Sequence, residues 1–248
     1  MRIRFALLVL LAAPAILGAQ PQAHFPPDSL INVHVFPKTT PVIQVVAAMR
    51  NFSGALGVRC NYCHVGEEGR PLETFNFASD DKRTKLVGRQ MMRMVQEINH
   101  RLDTLPGRTS PGLQVTCATC HRGVPRPMPL NQLLTDAATA AGTDSAVRAY
   151  RALRQRYYGR DAYDFSEFSL NSAALSVARA GRYDDALALL RLNEEMFPSS
   201  SATYVARGNV VLMRGDTASA AAAFREAIKR DSTNNEARGR LRAIGQQP

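Results

Sequence analysis

The chain has 248 residues, of which 45% are hydrophobic and 21% are charged, and it contains no tryptophan. This length allows one large domain or two smaller ones, and no apolar run approaches the roughly 18 residues of a membrane-spanning helix. Lys and Arg total 31 against 21 Asp and Glu, a net charge of +10. A basic protein can bind nucleic acid, an anionic membrane surface or acidic protein partners, or it can simply have a solvated basic surface.

The N-terminus has the features of a secretory signal peptide. Arg2 and Arg4 form a short positive segment, residues 5–17 are apolar, and small residues follow up to Ala19. The apolar run of 13 residues is too short to span about 30 Å of hydrocarbon. We therefore expect a leader over residues 1–19, an exported periplasmic protein without a transmembrane segment in its mature chain, and no nucleic-acid partner.

A first helix is predicted after a proline-rich, irregular segment at 20–38. It should begin near Thr40, with Pro41 in the first turn, where proline is favoured. Apolar residues recur at helical spacing along one face of this helix, namely Val42, Val45, Met49 and Phe52. Gly54 and Gly57 are expected to end it.

All four cysteines of the chain belong to two Cys-x-x-Cys-His motifs, at residues 60–64 and 117–121. This is the attachment motif of c-type haem. Two thiols three residues apart can add across both haem vinyl groups, and the adjoining imidazole then becomes the proximal ligand of the iron. The sequence therefore predicts two covalently attached haem c groups, one held by Cys60, Cys63 and His64 and the other by Cys117, Cys120 and His121.

Other uses of paired cysteines fit this pattern less well. A four-cysteine zinc ribbon usually separates its pairs by about 15–20 residues, whereas 53 residues lie between Cys63 and Cys117. A thioredoxin-like Cys-x-x-Cys pair does not need a histidine directly after it. Disulfides are usual in exported proteins, but no cysteine is left for them once two haems are attached.

A second helix is predicted between the two motifs. It should begin near Ser79, with Asp80 and Asp81 in its first turn. Its apolar stripe, expected to be buried, comprises Val87, Met91, Met94, Val95, Ile98 and Leu102. The order of helix, turn and haem motif thus occurs twice, with an offset of 57 residues between Cys60 and Cys117.

Each haem iron needs a sixth ligand or keeps an open position. A thioether suits haem iron and raises its reduction potential relative to a second histidine. Met49 precedes His64 by 15 residues and Met94 precedes His121 by 27, with Met91 one turn earlier on the same face. Spacing alone does not separate a ligand from a methionine that fills a core, nor Met91 from Met94. Rival ligands are His24, His34 and His100.

Residues 31 to about 125 resemble the cytochrome subunit of photosynthetic reaction centres. The resemblance is carried by residues 49–64 (MRNFSGALGVRCNYCH), 89–99 (RQMMRMVQEIN) and 115–123 (VTCATCHRG). In that family each haem unit is a helix bearing a methionine, then a turn, then the Cys-x-x-Cys-His motif. The resemblance implies Met49 as the sixth ligand of the first haem, and Met94 or alternatively Met91 as that of the second.

This chain departs from the family's pattern in its number of haem motifs. Well-known members bind four haems, or sometimes three, whereas this chain has two motifs and resembles a single pair of repeats. Similar short forms look like general dihaem cytochromes of the periplasm in non-phototrophic bacteria. A reaction-centre partner is therefore not implied by two haems alone.

The remainder of the chain is predicted to be helical. Two helices should occupy residues 131–166, the second with Ala146, Tyr150 and Leu153 on one side. A repeat then begins at residue 167, in which Gly181 and Ala186 are matched 34 residues later by Gly215 and Ala220. This is the period of tetratricopeptide repeats, which stack paired helices.

These repeats suggest a protein-binding module. The glycines suit the turns between paired helices, the alanines allow the helices to approach closely, and residues 235–245 should form a capping helix. A plain helical bundle is the alternative. A solenoid of this kind binds proteins on its concave face, where three arginines could lie, namely Arg179, Arg207 and Arg214.

The expected organisation is all-α, with a dihaem c-type cytochrome domain followed by a tetratricopeptide-like helical solenoid. Its parts are a signal peptide at 1–19, the cytochrome domain at 20–124, a proline-rich linker at 125–130, a helical connector at 131–166 and the repeats at 167–248.

The favoured interpretation is an electron carrier rather than an enzyme, because Met/His ligation leaves no open position on the iron. Arg59 and Arg122 adjoin the motifs and could pair with haem propionates or simply be exposed. The expected partners are redox donors and acceptors, including a membrane-bound complex. The alternatives are a dihaem peroxidase or reductase, and a haem-containing binding adaptor.

Overall fold

The computed structural model describes residues 24–107 and 112–247, so the predicted leader over residues 1–19 lies outside the described residues. The predicted all-α fold is confirmed. Within the described ranges, β structure is limited to one isolated antiparallel bridge between Val65 and Asn76. None of the helices in these ranges combines the length and apolar content needed to cross a bilayer.

Ten α-helices follow one another in the part of the chain that is described. They are α1 (Val42–Leu56), α2 (Arg83–Asp103), α3 (Cys117–His121), α4 (Leu130–Ala141), α5 (Thr143–Tyr157), α6 (Glu167–Arg179), α7 (Tyr183–Met196), α8 (Ser201–Met213), α9 (Thr217–Arg230) and α10 (Asn235–Ala243). Two short 3-10 turns, Cys60–Tyr62 and Leu72–Thr74, lie between α1 and α2.

The described residues divide into two compact units. The first unit comprises residues 24–49 and 59–93, and the second comprises 50–58, 94–107 and 112–247. The boundaries fall inside α1 and α2. As a result, the first Cys-x-x-Cys-His motif belongs to the first unit and the second motif belongs to the second unit.

Helix α1 begins where its sequence predicts. The carbonyl of Pro41 accepts hydrogen bonds from the backbone N–H groups of Gln44 and Val45, at 3.0 and 3.3 Å. Proline suits this position because its missing N–H would have no partner within the helix. Val45 and Val46 are buried on the inner face of α1.

Helix α2 begins at Arg83, four residues later than the predicted start at Ser79. The Ser79 hydroxyl donates to the Asp81 carboxylate at 2.6 Å and accepts from the Asp81 backbone N–H at 3.1 Å. Short polar side chains that bond to nearby backbone groups in this way compete with helix formation. Asp80 and Asp81 therefore lie in a turn before the helix rather than in its first turn.

The second unit contains the helical array. Helices pack as the hairpins α4–α5, α6–α7 and α8–α9, while α4 packs on α6 and α6 packs on α8. Gly181 and Gly215 occupy the hairpin turns with φ of +78° and +90°, a conformation that favours glycine. Ala186 and Ala220 are fully buried, as the repeat pattern predicts.

Close approach of α8 and α9 depends on Gly208. A Cβ at this position would overlap the ring of Phe224, which is itself fully buried. The apolar core of the array has two clusters. One runs from α4 to α8 and includes Leu130, Leu134, Tyr150, Leu170, Leu189, Leu190 and Val210, and the other joins α8, α9 and α10 and includes Val205, Val211, Phe224 and Leu241. The array is thus stabilised by the stacking of neighbouring hairpins, none of which could bury its apolar face alone.

Candidate haem sites

The first Cys-x-x-Cys-His motif forms one helical turn in the first unit. The carbonyl of Cys60 accepts hydrogen bonds from the backbone N–H groups of Cys63 and His64, at 3.2 and 2.9 Å. Residues three and four positions apart in such a turn lie on the same face. Both thiols and the imidazole are therefore presented together, as covalent haem attachment requires.

His64 lies in a partly apolar setting. Its ring packs edge-on against the ring of Phe77, with centroids 4.9 Å apart. Burial lowers the pKa of His64 to about 4, and the positive charge of Lys85 acts in the same direction. The imidazole is therefore neutral at neutral pH, which is the state that can bind a metal. Burial also raises the pKa of the Cys63 thiol.

The second motif forms the short helix α3 in the second unit. Thr116 precedes it, and its backbone N–H donates to the hydroxyl of Thr119 at 3.0 Å, which caps the first turn. Arg122 ends the helix in a left-handed conformation with φ of +47°. Cys117, Cys120 and His121 again occupy positions i, i+3 and i+4 of one turn.

The protonation of His121 is indicated by its hydrogen bond. Its Nδ1 lies 2.9 Å from the backbone carbonyl oxygen of Val124. A carbonyl can only accept, so Nδ1 carries a proton, and in the neutral imidazole Nε2 carries the lone pair. A metal-binding histidine commonly makes this kind of bond, which fixes its tautomer and orients its ring.

Asn99 joins α2 to the segment that leads into the second motif. Its side-chain amide donates to the carbonyl of Val115 at 2.9 Å and its amide oxygen accepts from the Val115 N–H at 2.7 Å. Through these two bonds the Asn99 amide both donates to and accepts from the backbone of Val115, as a neighbouring β-strand residue would. Sequence periodicity does not predict this link, because Asn99 and Val115 are 16 residues apart.

The apolar stripe of α2 is partly exposed and partly half-buried, contrary to the sequence-based expectation that it is buried. Val87, Met91 and Met94 are 46%, 38% and 44% exposed, and α2 contains no buried residue. The other three residues of the stripe are half-buried, namely Val95, Ile98 and Leu102. A stripe of large apolar side chains is unusual on a soluble surface and marks a binding face.

The donor set of both motifs therefore fits haem. All four thiols are free, and both histidines follow the second cysteine of their motif directly. The lone pair of His121 and the neutral state of His64 suit iron ligation. Met49, partly exposed on α1, lies in the first unit with the first motif.

The rival histidine ligands and the two arginines next to the motifs have other partners or are exposed. His24 lies 3.1 Å from Asp28, His34 contacts the side chain of Asn32 at 2.5 Å, and His100 is exposed on α2. Arg59, next to the first motif, pairs with Glu68 at 3.3 Å, and Arg122 is exposed. Sequence reasoning missed Lys82, just before α2, whose Nζ donates to the Asn61 carbonyl in the first motif, and the neighbouring cations Lys85 and Arg89 of α2.

Comparison with known proteins agrees with this geometry. A sequence model of the family described as "Photosynthetic reaction centre cytochrome C subunit" matches residues 32–152. Cytochrome c-554 of Chloroflexus aurantiacus is 42% identical over 74 residues, which is 29% of this chain and 16% of that protein. The reaction center cytochrome c subunit of Rubrivivax gelatinosus is 41% identical over 68 residues, 27% of this chain and 15% of that protein.

A third relative shows the same extent of similarity. The reaction center cytochrome c subunit of Thermochromatium tepidum is 43% identical over 68 residues, 27% of this chain and 14% of that protein. The matched segment thus spans at most 16% of the length of these relatives.

Among solved structures, the first tetratricopeptide repeat domain of Spaghetti (RPAP3) bound to the HSP90 peptide SRMEEVD is 18% identical, with a TM-score of 0.32, and the match covers 47% of this chain and 87% of that one. At this TM-score the likeness adds nothing to the helical architecture described above. The two motifs, the helices before them and the sequence matches lead to one conclusion. Over residues 32–152, the chain is similar to the family of the photosynthetic reaction centre cytochrome c subunit.

Proposed function

We propose that the protein is a dihaem c-type cytochrome that carries single electrons between redox partners. The observation that carries this proposal is the folding of each Cys-x-x-Cys-His motif as one helical turn with its thiols and imidazole on one face. The cysteines would form the thioether bonds, and His64 and His121 would be the proximal ligands. When bound, haem iron supplies a one-electron change of oxidation state.

Methionines would supply the sixth ligands. Met49 shares the first unit with the first motif, and Met94 shares the second unit with the second motif. We propose Met94 for the second haem, with Met91, one turn earlier on α2, as the alternative. Asn99 supports this assignment because it links α2 to the second motif five residues beyond Met94.

A carrier and an enzyme differ in coordination. A carrier with Met/His ligation is six-coordinate and low-spin, whereas a peroxidase or reductase needs an open position on at least one iron. The absorption spectrum of the purified holoprotein, with and without carbon monoxide, tests this difference. We expect low-spin spectra with no carbon monoxide adduct. A high-spin ferric spectrum together with rapid peroxide turnover would contradict the carrier.

The proposal includes export and a docking module. Attachment of c-type haem would take place in the periplasm after export by the leader over residues 1–19. The helical array would bind the protein partner, which could belong to a membrane-bound complex. Among the large apolar residues of α4 to α10, Phe168 is the most exposed, at 66%.

Replacing Phe168 tests the docking role in the full-length holoprotein. Phe168→Asp should slow electron exchange with membranes of the source organism while the haem spectra stay unchanged. Phe168→Leu, which keeps the apolar surface, should exchange at nearly the parent rate. Equal rates for both variants and the parent would argue against docking through this face of α6.

A further inference from the structure

Three positively charged side chains, at and just before the start of α2, lie close to the first motif. Lys82 donates from Nζ to the carbonyl of Asn61, inside the motif, at 2.6 Å. Thr84, two residues further along the chain, donates to the carbonyl of Tyr62. These bonds fasten the N-terminal end of α2 to the Cys-x-x-Cys-His turn and hold one cation against it.

Lys85 is nearly buried beside the histidine of this motif. Its side chain is 10% exposed, and its Nζ donates to the carbonyls of Phe77 and Ser79 at 2.8 and 2.7 Å. Phe77 is the residue whose ring packs against His64. The ammonium group is thus fixed by backbone groups, one of which belongs to the residue that packs on His64.

Arg89 adds a third cation, one turn further along α2. Its side chain is 14% exposed and its Nη1 lies 2.8 Å from Asp80, while Nη2 donates to the carbonyl of Asn32 at 3.0 Å. Asp80 also lies 3.1 Å from Lys85 and is 39% exposed. Asp80 therefore pairs with two of the cations, Lys85 and Arg89, and Lys82 has no carboxylate partner in the cluster. Together, Lys82, Lys85, Arg89 and Asp80 carry a formal net charge of +2.

The cluster adjoins the residues that would hold the haem. Lys82 bonds to the carbonyl of Asn61 inside the motif, and Lys85 bonds to the carbonyl of Phe77, whose ring packs on His64. Charges that are nearly buried are screened little by solvent and salt. Reduction of iron removes one positive charge from the centre, so fixed cations beside it favour the reduced state.

We propose that Lys82, Lys85 and Arg89 act as positioning residues that raise the reduction potential of the haem held by the first motif. This inference rests on the proposed function, since it needs a haem at Cys60, Cys63 and His64. Because the three cations are fixed by backbone and carboxylate partners, the effect is built into the fold. When the protein holds a single electron, the cations therefore favour its location on the first haem.

Two substitutions test the proposal, one that removes a positive charge and one that removes a negative charge. The midpoint potential of each haem is measured by spectroscopic redox titration of the holoprotein. Lys85→Met removes a cation, and we expect it to shift the reduced-to-oxidised ratio of one haem about tenfold towards oxidised, a lowering of about 59 mV for a one-electron couple. Asp80→Asn removes the compensating carboxylate and should raise the same midpoint. A merely structural disturbance would not reverse its sign between the two variants.

Arg93→Gln is the matched control, because Arg93 is a cation of α2 in the same unit but is exposed. Its effect should be smaller and should vanish in high salt, whereas the shift in Lys85→Met should persist. In a Cys117→Ala, Cys120→Ala background, which keeps only the first attachment motif, the remaining haem should show the same opposite shifts.

The outcomes separate this inference from the proposed function. A holoprotein without covalent haem would overturn the proposed function itself. Two covalent haems whose midpoints move no more in Lys85→Met and Asp80→Asn than in Arg93→Gln, or move in the same direction in both, would overturn the inference alone. Opposite shifts confined to one haem would support it.

Discussion

Gly57 and Gly123 meet backbone to backbone at the end of α1. Gly57 has φ of +65°, and a Cβ there would overlap the carbonyl oxygen of Gly123. The N–H of Gly123 donates to the carbonyl of Ala55 at 2.8 Å. The last turn of α1 is therefore bound to the turn that follows the second motif, and only glycine at position 57 allows this approach.

Gly57→Ala should destabilise the holoprotein by about 2 kcal/mol or more. The new side chain would combine a strained left-handed conformation with a clash against backbone. Urea unfolding followed by circular dichroism measures the free energy of unfolding. Gly54→Ala is the control, because a Cβ on Gly54 meets open space inside α1. It should be neutral or slightly stabilising, and equal losses for both variants would contradict this explanation.

Asn99→Leu should lower the free energy of unfolding by about 1–3 kcal/mol, because it leaves the N–H and carbonyl of Val115 without their side-chain partner. Asn99→Asp should also be destabilising, because a carboxylate can accept from the N–H but cannot donate to the carbonyl. Urea unfolding measures both effects. Gln96→Leu, at an exposed position of the same helix, is the control and should change stability by less than about 0.5 kcal/mol.

The sixth ligands can be assigned one methionine at a time. Met49→Ala and Met94→Ala should each open one haem to carbon monoxide and lower its reduction potential, because the thioether that favours reduced iron is lost. Met91→Ala should leave the spectra and both potentials close to those of the parent. Carbon monoxide binding to Met91→Ala but not to Met94→Ala would reverse the assignment for the second haem.

Asp185 joins three helices of the array. Its carboxylate accepts a hydrogen bond from Thr143 at the start of α5 and one from Arg182 at 2.7 Å, and Arg182 also donates to the carbonyl of Ala138 in α4 at 2.7 Å. The bond from Thr143, aided by Arg182, lowers the pKa of Asp185. Its ionised form is therefore the one that the folded state favours.

Asp185→Asn should cost about 1–2 kcal/mol of unfolding free energy at pH 7. Because the folded pKa lies below the unfolded value of about 3.9, the carboxylate stabilises above that value and its contribution is lost as pH falls through the folded pKa. The difference between parent and variant should thus shrink below about pH 4. Urea unfolding of parent and variant at pH 7 and below about pH 4 measures this difference in unfolding free energy.

The control for Asp185→Asn is a substitution of the adjacent residue, Asp184. Asp184 is 98% exposed and lies 3.4 Å from Arg214. Asp184→Asn should change stability by less than about 0.5 kcal/mol at either pH, since exposed ion pairs contribute little. A loss at Asp184 as large as that at Asp185 would indicate a general charge effect in place of the helix-joining role.

Helical periodicity and local turn signals account for much of the fold. The apolar spacing of α1, the glycines at 181 and 215 and the small residues at 186 and 220 each depend on contacts between near neighbours in sequence or on a repeated unit. Such local requirements are visible in a single chain. The predicted start of α2 was wrong by four residues because side-chain bonding of Ser79 and Asp81 competes with the helix.

The surroundings of the two motifs were much less predictable. Their residue types follow from haem chemistry, but the pairing of Asn99 with Val115 and the approach of Gly57 to Gly123 join positions that no period relates. The partly exposed stripe of α2 was expected to be buried because periodicity identifies an apolar face without saying whether protein or a cofactor covers it. These features depend on tertiary contacts and on the bound group.

The mass of the denatured holoprotein tests the central claim most directly. Covalent attachment through both motifs predicts one species that carries two haem masses after denaturation and acid extraction. Cys60→Ala with Cys63→Ala should reduce this to one, as should the equivalent pair at Cys117 and Cys120. A parent protein that loses all its haem on denaturation, or carries none, would contradict the assignment of a dihaem cytochrome.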